Sequence, residues 1–215
     1  MATTLTGEQI ARAGLTGWVY AAGSLRTRVV TPDFAAGLAL VDAIGAAAEA
    51  AGHHPDLDLR YGLVDVRLVS HDAGGVTQRD VDLARTVTGL AGDAGLRTSA
   101  DGVQALELAL DSPDGRALSA FWAAFLGYEP HDDELRDPAG TGAPVWFQPS
   151  GDAEPRQRWH VDVWIDPAQV QPRIDAVLAA GGAVVDDSAA PSFWVLADAE
   201  GNRSCLCTWQ DRGVS

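Results

Sequence analysis

The stretch AEAAGHHPDLDLRYGLVDVRLVSHDAGGVTQRDVDLA (residues 48–84) holds three of the chain's five histidines within nineteen residues. Its hydrophobic period changes twice. An alanine-rich helical pattern stops at Gly52-His53-His54-Pro55, because the residue before a proline is pushed out of the helical region. Apolar residues then alternate through "LDLRY" and "LVDVRLV", two strands joined at Gly62. Helical spacing resumes in "TQRDVDLARTVTGLA", where Thr77 stands three residues before Asp80, the spacing of a capping box.

Upstream, "TPDFAAGLALVDAIGAAAEAAG" reads as a helix with Thr31 as cap and Pro32 at its first position. Phe34, Leu38, Val41 and Ala48 recur along one stripe. "WVYAAGSLRTRVV" reads as two strands turned at Ala22–Ser24, with Arg26 and Arg28 on one face and Leu25, Thr27 and Val29 on the other. "LTGEQIARAG" is a short helix between Thr6 and Gly14. The order α-β-β-α-β-β-α predicts an α+β domain, a four-stranded antiparallel sheet covered by helices on one face.

The three histidines admit two readings. Imidazolium near a helix C-terminus is favourable by about 1 kcal/mol or less, which accounts for one of His53 and His54 but not for an adjacent pair. His71 extends the strand of Val64, Val66 and Leu68 and by alternation shares its polar face with Asp65 and Arg67. Adjacent histidines do not chelate from one helix face, so no metal is expected in this half. Asp80 serves either as the capping-box carboxylate or as the group that orients a histidine, and Arg79 reads as a solvated helix residue.

The spacing Glu49-x3-His53-His54-Pro55-x5-Tyr61-x9-His71-x8-Asp80 resembles the signature of pterin-4a-carbinolamine dehydratases, and the flanking segments extend the resemblance over about residues 5–91. It implies dehydration of a 4a-hydroxytetrahydropterin to a quinonoid dihydropterin, with His53, His54 and His71 catalytic and Asp56, Tyr61 and Asp80 binding substrate. By that resemblance His53 and His71 are acids toward the departing hydroxyl, and His54 binds the substrate and takes up the N5 proton. No metal or other cofactor is implied. A homodimer or higher homo-oligomer is. One departure is Leu57, where an aromatic residue is common.

The loop-like "AGDAGLRTSADG" separates two regions of unequal charge. Residues 1–100 carry 11 acids and 8 arginines, and residues 101–215 carry 19 and 7. The expected division is therefore 1–91, a linker 92–102, and 103–215. In the second half, "VQALELALDSPDGRALSAFWAAFLGYEP" and "RWHVDVWIDPAQVQPRIDAVLAAGGAVV" each read strand, turn, helix, turn, followed by "APVWFQP" and "SFWVLADAEGNRSCLCTW". That is an internal β-α-β-β-β repeat, at about 103–150 and 157–210. Pro172 begins or kinks the second helix.

The repeat resembles the glyoxalase-like branch of the vicinal-oxygen-chelate superfamily, whose divalent-metal positions fall here on Ala105, Gln148, His160 and Cys205. Alanine offers no donor, so the implied four-ligand set is incomplete and no metal is expected. Alternation groups His160, Asp162 and Trp164 on the concave face, and with Glu107, Gln148 and Cys205 they outline a candidate pocket.

A net charge of −15, with arginine as the only basic residue besides histidine, disfavours nucleic acid or an anionic membrane as partner. Cys205 and Cys207 form a C-x-C pair ill-suited to a disulfide. A cytoplasmic location is expected, since no signal peptide and no uninterrupted run of about 18 apolar residues is seen. Two other functions remain open: a small-molecule-binding protein using the glyoxalase-like pocket with the first half as an oligomerisation scaffold, and a metal-dependent glyoxalase- or dioxygenase-like enzyme.

Overall fold

The computed structural model describes residues 3–150, 158–197, 201 and 203–212. The chain divides into two compact units, Met1–Val103 with Trp209–Ser215, and Gln104–Thr208.

The first unit runs α1 (Gly7–Arg12), β1 (Val19–Ala21), β2 (Ser24–Val30), α2 (Phe34–Ala51), β3 (Asp56–Arg60), β4 (Leu63–Leu68), a 3-10 turn (His71–Ala73) and α3 (Gln78–Asp93). The antiparallel sheet has the order β1-β2-β4-β3. A fifth strand, β5 (Thr98–Ser99), adds to β2 beyond β1, so residues 92–102 carry the end of α3 and an edge strand. Gly17 lets β5 approach: at φ +78° it faces the Thr98 carbonyl where a side chain would stand. Thr27 donates to the Gly17 carbonyl at 2.6 Å, closing the same corner.

Alternation sends Leu25, Val29, Val64, Val66 and Leu68 into one core with Ile44, Leu40, Val81, Ala84 and Val87 of the helices. The other face of the sheet is charged. There Arg28 makes a two-point ion pair with Asp65, 2.7 Å at each contact. Arg67 donates to Asp56 at 2.7 Å. Arg26 faces Arg67 across the strands, and burial followed by that like charge lowers its guanidinium to about 10.

Three sequence expectations change here. The cap of α2 is Asp33, which accepts from the Ala36 amide at 2.8 Å, and not Thr31. A carboxylate one residue after Pro32 reaches the open amides better than a threonine two residues earlier. The buried stripe of α2 is Gly37, Leu40, Ile44 and Ala48, whereas Phe34 and Leu38 are about half exposed. This helix is apolar around most of its circumference, and Gly37 selects the contact face by letting Leu59 pack close. For the same reason α2 is long and apolar enough to cross a membrane, although Asp42 and Glu49 interrupt its apolar run. Third, β4 ends at Leu68, and His71 opens the 3-10 turn instead of extending the strand. Ser70 pairs with Gly75 in an isolated bridge that turns the chain.

The second unit repeats one pattern. β6 (Ala105–Ser112), α4 (Gly115–Leu126), β7 (Glu129–His131), β8 (Glu134–Arg136) and β9 (Val145–Pro149) are followed by β10 (Trp159–Trp164), α5 (Val170–Ala179), β11 (Ala183–Asp186), β12 (Phe193–Ala197) and β13 (Arg203–Cys207). They build one eight-stranded sheet, β11-β12-β13-β10-β6-β9-β8-β7. The two copies meet at the antiparallel β6–β10 pair, where Glu107 opposes Asp162. Pro172 falls in the first turn of α5, where a missing N–H costs little. Ile165, Leu206, Val163, Leu196 and Trp194 pack with Val170 and Ile174 on the helix side. Residues 198–200 and 202 of the "ADAEGNRSCL" phrase lie outside the described residues.

Candidate functional site

The hairpin register brings the histidines of the first unit to one end of the sheet. Asp56 at the start of β3 pairs with Arg67 near the end of β4, so His53 and His54, just before β3, adjoin the turn that His71 opens. Gly52 adopts φ +60° and ends α2, and the His53 amide closes the cap on the Ala48 carbonyl at 3.2 Å.

His53 is buried, and its Nε2 lies 2.7 Å from Oδ1 of Asp80, which has no exposed surface. The other Asp80 oxygen accepts from the Thr77 amide and from the Ser70 hydroxyl, each at 2.7 Å. With its one hydrogen directed at Asp80, Ser70 accepts from the Thr77 hydroxyl at 2.8 Å. One carboxylate thus caps α3 with one oxygen and holds His53 with the other. Asp80 was expected to touch substrate. It is fully enclosed, with His53, Ser70 and Thr77 as its hydrogen-bond partners. An acceptor at Nε2 favours the tautomer with hydrogen on that nitrogen.

Ser70 of this network immediately precedes His71, which opens the 3-10 turn. Arg79 is exposed to solvent on α3. It binds Asp72 at 2.5 Å and holds that carboxyl below its usual range, with a smaller contribution from His53. His54 is open to solvent, with Nε2 3.1 Å from Glu49. Asp56 is held on the charged face by Arg67. Tyr61 stands apart, 82% exposed at the far end of β3, roughly 16 Å of strand from His54.

These features coincide with the comparisons. The family model for pterin 4 alpha carbinolamine dehydratase matches residues 3–90. A Mycobacterium avium protein provisionally named a pterin-4-alpha-carbinolamine dehydratase is 44% identical over 90 residues, covering 41% of this chain and 96% of the relative. The chain belongs to the pterin-4a-carbinolamine dehydratase family. A Nocardia farcinica relative of the same provisional name is 46% identical over 89 residues, covering 40% of this chain and 94% of its own. A solved structure from Brucella melitensis, described as a transcriptional coactivator/pterin dehydratase, is 29% identical, covering 42% of this chain and all of its own at a TM-score of 0.41. The rest of the chain matches a glyoxalase-like domain model over residues 107–207.

In the glyoxalase-like unit the sheet face away from the helices carries the expected pocket residues. Trp164 donates its indole N–H to Glu107 at 2.6 Å, and Trp146 donates to Asp162 at 3.2 Å. The Trp146 ring also meets the edge of His160, centroids 5.9 Å apart. Asp162 opposes Cys205 across the parallel β10–β13 pair. Gln148 of β9 opposes Asp111 of β6, and Ala105 opposes Trp164. Of the four positions implied by the superfamily, Ala105 offers no donor. His160, Asp162 and Cys205 do come together, with one donor atom from each within 4.8 Å of the others. Asp162 is the donor that overlaying the repeats did not single out. The β10–β13 register, rather than the repeat, marks it.

Proposed function

We propose that the dehydratase-family unit removes water from a 4a-hydroxytetrahydropterin by histidine acid–base catalysis. The observation that carries this reading is the buried His53–Asp80 pair, locked by Ser70 and Thr77 beside the His71 turn. Hydroxide leaves poorly, so the C4a oxygen takes a proton as its bond to carbon breaks. Water departs, the N5 proton is removed, and the electron pair from that N–H bond forms the C4a–N5 double bond of the quinonoid dihydropterin. One proton is given and one is taken, so neighbouring imidazoles close the cycle with no net oxidation.

His53 and His71 supply the acid side. His53 exchanges its proton at Nδ1 while Asp80 holds Nε2. The exposed His54 meets the pterin ring and receives the N5 proton. A positioned acid or base typically contributes about 10²–10⁴-fold. Dehydration followed with wild type, His54→Ala and His71→Ala is expected to show acceleration that each substitution lowers by about tenfold or more. Acceleration that survives both substitutions would remove the histidines from the chemistry.

A further inference from the structure

A second cluster lies in the glyoxalase-like unit. On one face of its sheet His160 and Asp162 stand two residues apart on β10, and the parallel register sets Cys205 of β13 opposite Asp162. One nitrogen, one oxygen and one sulfur donor converge within 4.8 Å of one another. Behind them, Asp111 Oδ1 is 3.6 Å from Nδ1 of His160, while Nε2 of the same ring is 3.6 Å from Asp162 Oδ1. Trp146 steadies the other Asp162 oxygen.

We propose that His160, Asp162 and Cys205 form a site for one thiophilic divalent cation, zinc foremost. The donor set is mixed in softness, and its sulfur selects against magnesium and calcium, which take oxygen. Three protein donors leave one tetrahedral position for a ligand, the pattern of a reactive rather than a structural centre. A carboxylate behind the unused imidazole nitrogen, the place Asp111 holds, is the usual support of a metal-bound histidine. Donors around tetrahedral zinc lie about 3.3–3.8 Å apart, so closure takes an inward shift of about 1 Å. Binding expels the thiol proton of Cys205 to solvent. Thiolate and carboxylate then balance the two charges of the ion. The site belongs to the second repeat alone, since its counterparts in the first include Ala105.

The test uses the full chain, stripped with chelator and titrated with cobalt(II). One cobalt per chain, with a near-ultraviolet thiolate-to-cobalt charge-transfer band that zinc displaces, is the expected result. Cys205→Ser abolishes the band. His160→Ala weakens cobalt binding at least tenfold with an unchanged far-ultraviolet spectrum, and Cys207→Ser keeps both band and affinity. In mass spectrometry zinc protects Cys205 from alkylation. Lack of the band, its persistence in Cys205→Ser, or binding that owes nothing to His160 would overturn the proposal. None of these readouts depends on the histidines of the first unit.

Discussion

Asp80 carries two roles on one carboxylate, and replacing it separates them. Asp80→Ala leaves the Thr77 amide, the Ser70 hydroxyl and the His53 ring without their acceptor inside the fold. Each buried group so stranded costs about 1–3 kcal/mol, partly recovered by relaxation. A loss of about 2–4 kcal/mol in urea unfolding is therefore expected, and one below about 0.5 kcal/mol would show that the network is not a structural element. That Asp80 belongs to a capping box was legible from the Thr77–Asp80 spacing. That it also orients a histidine was one of two readings; that the histidine is His53 was not legible, because the partner comes from 27 residues away and only the packing of α2 against α3 brings the two together.

At the scale of elements, alternation located the strands of the first sheet because one face is apolar and the other charged. It gave no such guidance for α2, which offers two apolar stripes. The structure uses the stripe of Leu40, so Leu40→Ala is expected to cost about 2–5 kcal/mol and Leu38→Ala under about 1 kcal/mol, as measured by denaturant unfolding. The reverse order would place α2 the other way round. The His71 turn was misread as strand for a related reason. Nothing in "LVSHD" shows that the Ser70 side chain turns inward to Asp80 and ends the ladder. In the second unit, the turn after β8 is stapled by Asp137, which accepts from the amides of Ala139 and Gly142 and from Thr141. Those bonds, the Ala139 amide first, lower its carboxyl to about 2. Because the folded value lies below the ordinary 3.8, its stabilisation is complete above that value and is lost as pH falls through about 2. Amides of residues 139–142 should thus keep their exchange protection at pH 3. Loss of protection already at pH 4 would contradict this.

The whole molecule joins two units with separate cores, a dehydratase-family unit and a glyoxalase-like one. The chain returns to the first unit at its end, where the Trp209 ring lies against Gly7 at the start of α1. Trp209→Ala should accordingly speed hydrogen exchange in α1 and leave β10 and β13 unchanged; the opposite pattern would assign Trp209 to the second unit. The central claim is that the first unit dehydrates a 4a-hydroxytetrahydropterin with a histidine held by Asp80. Its most direct test is the rate of that dehydration with wild type, His53→Ala, Asp80→Asn and the double variant. Acceleration by wild type, with a double loss no larger than that of His53→Ala alone, is the predicted result, because Asp80 acts only through His53. No acceleration by wild type, or losses that simply multiply, would contradict it.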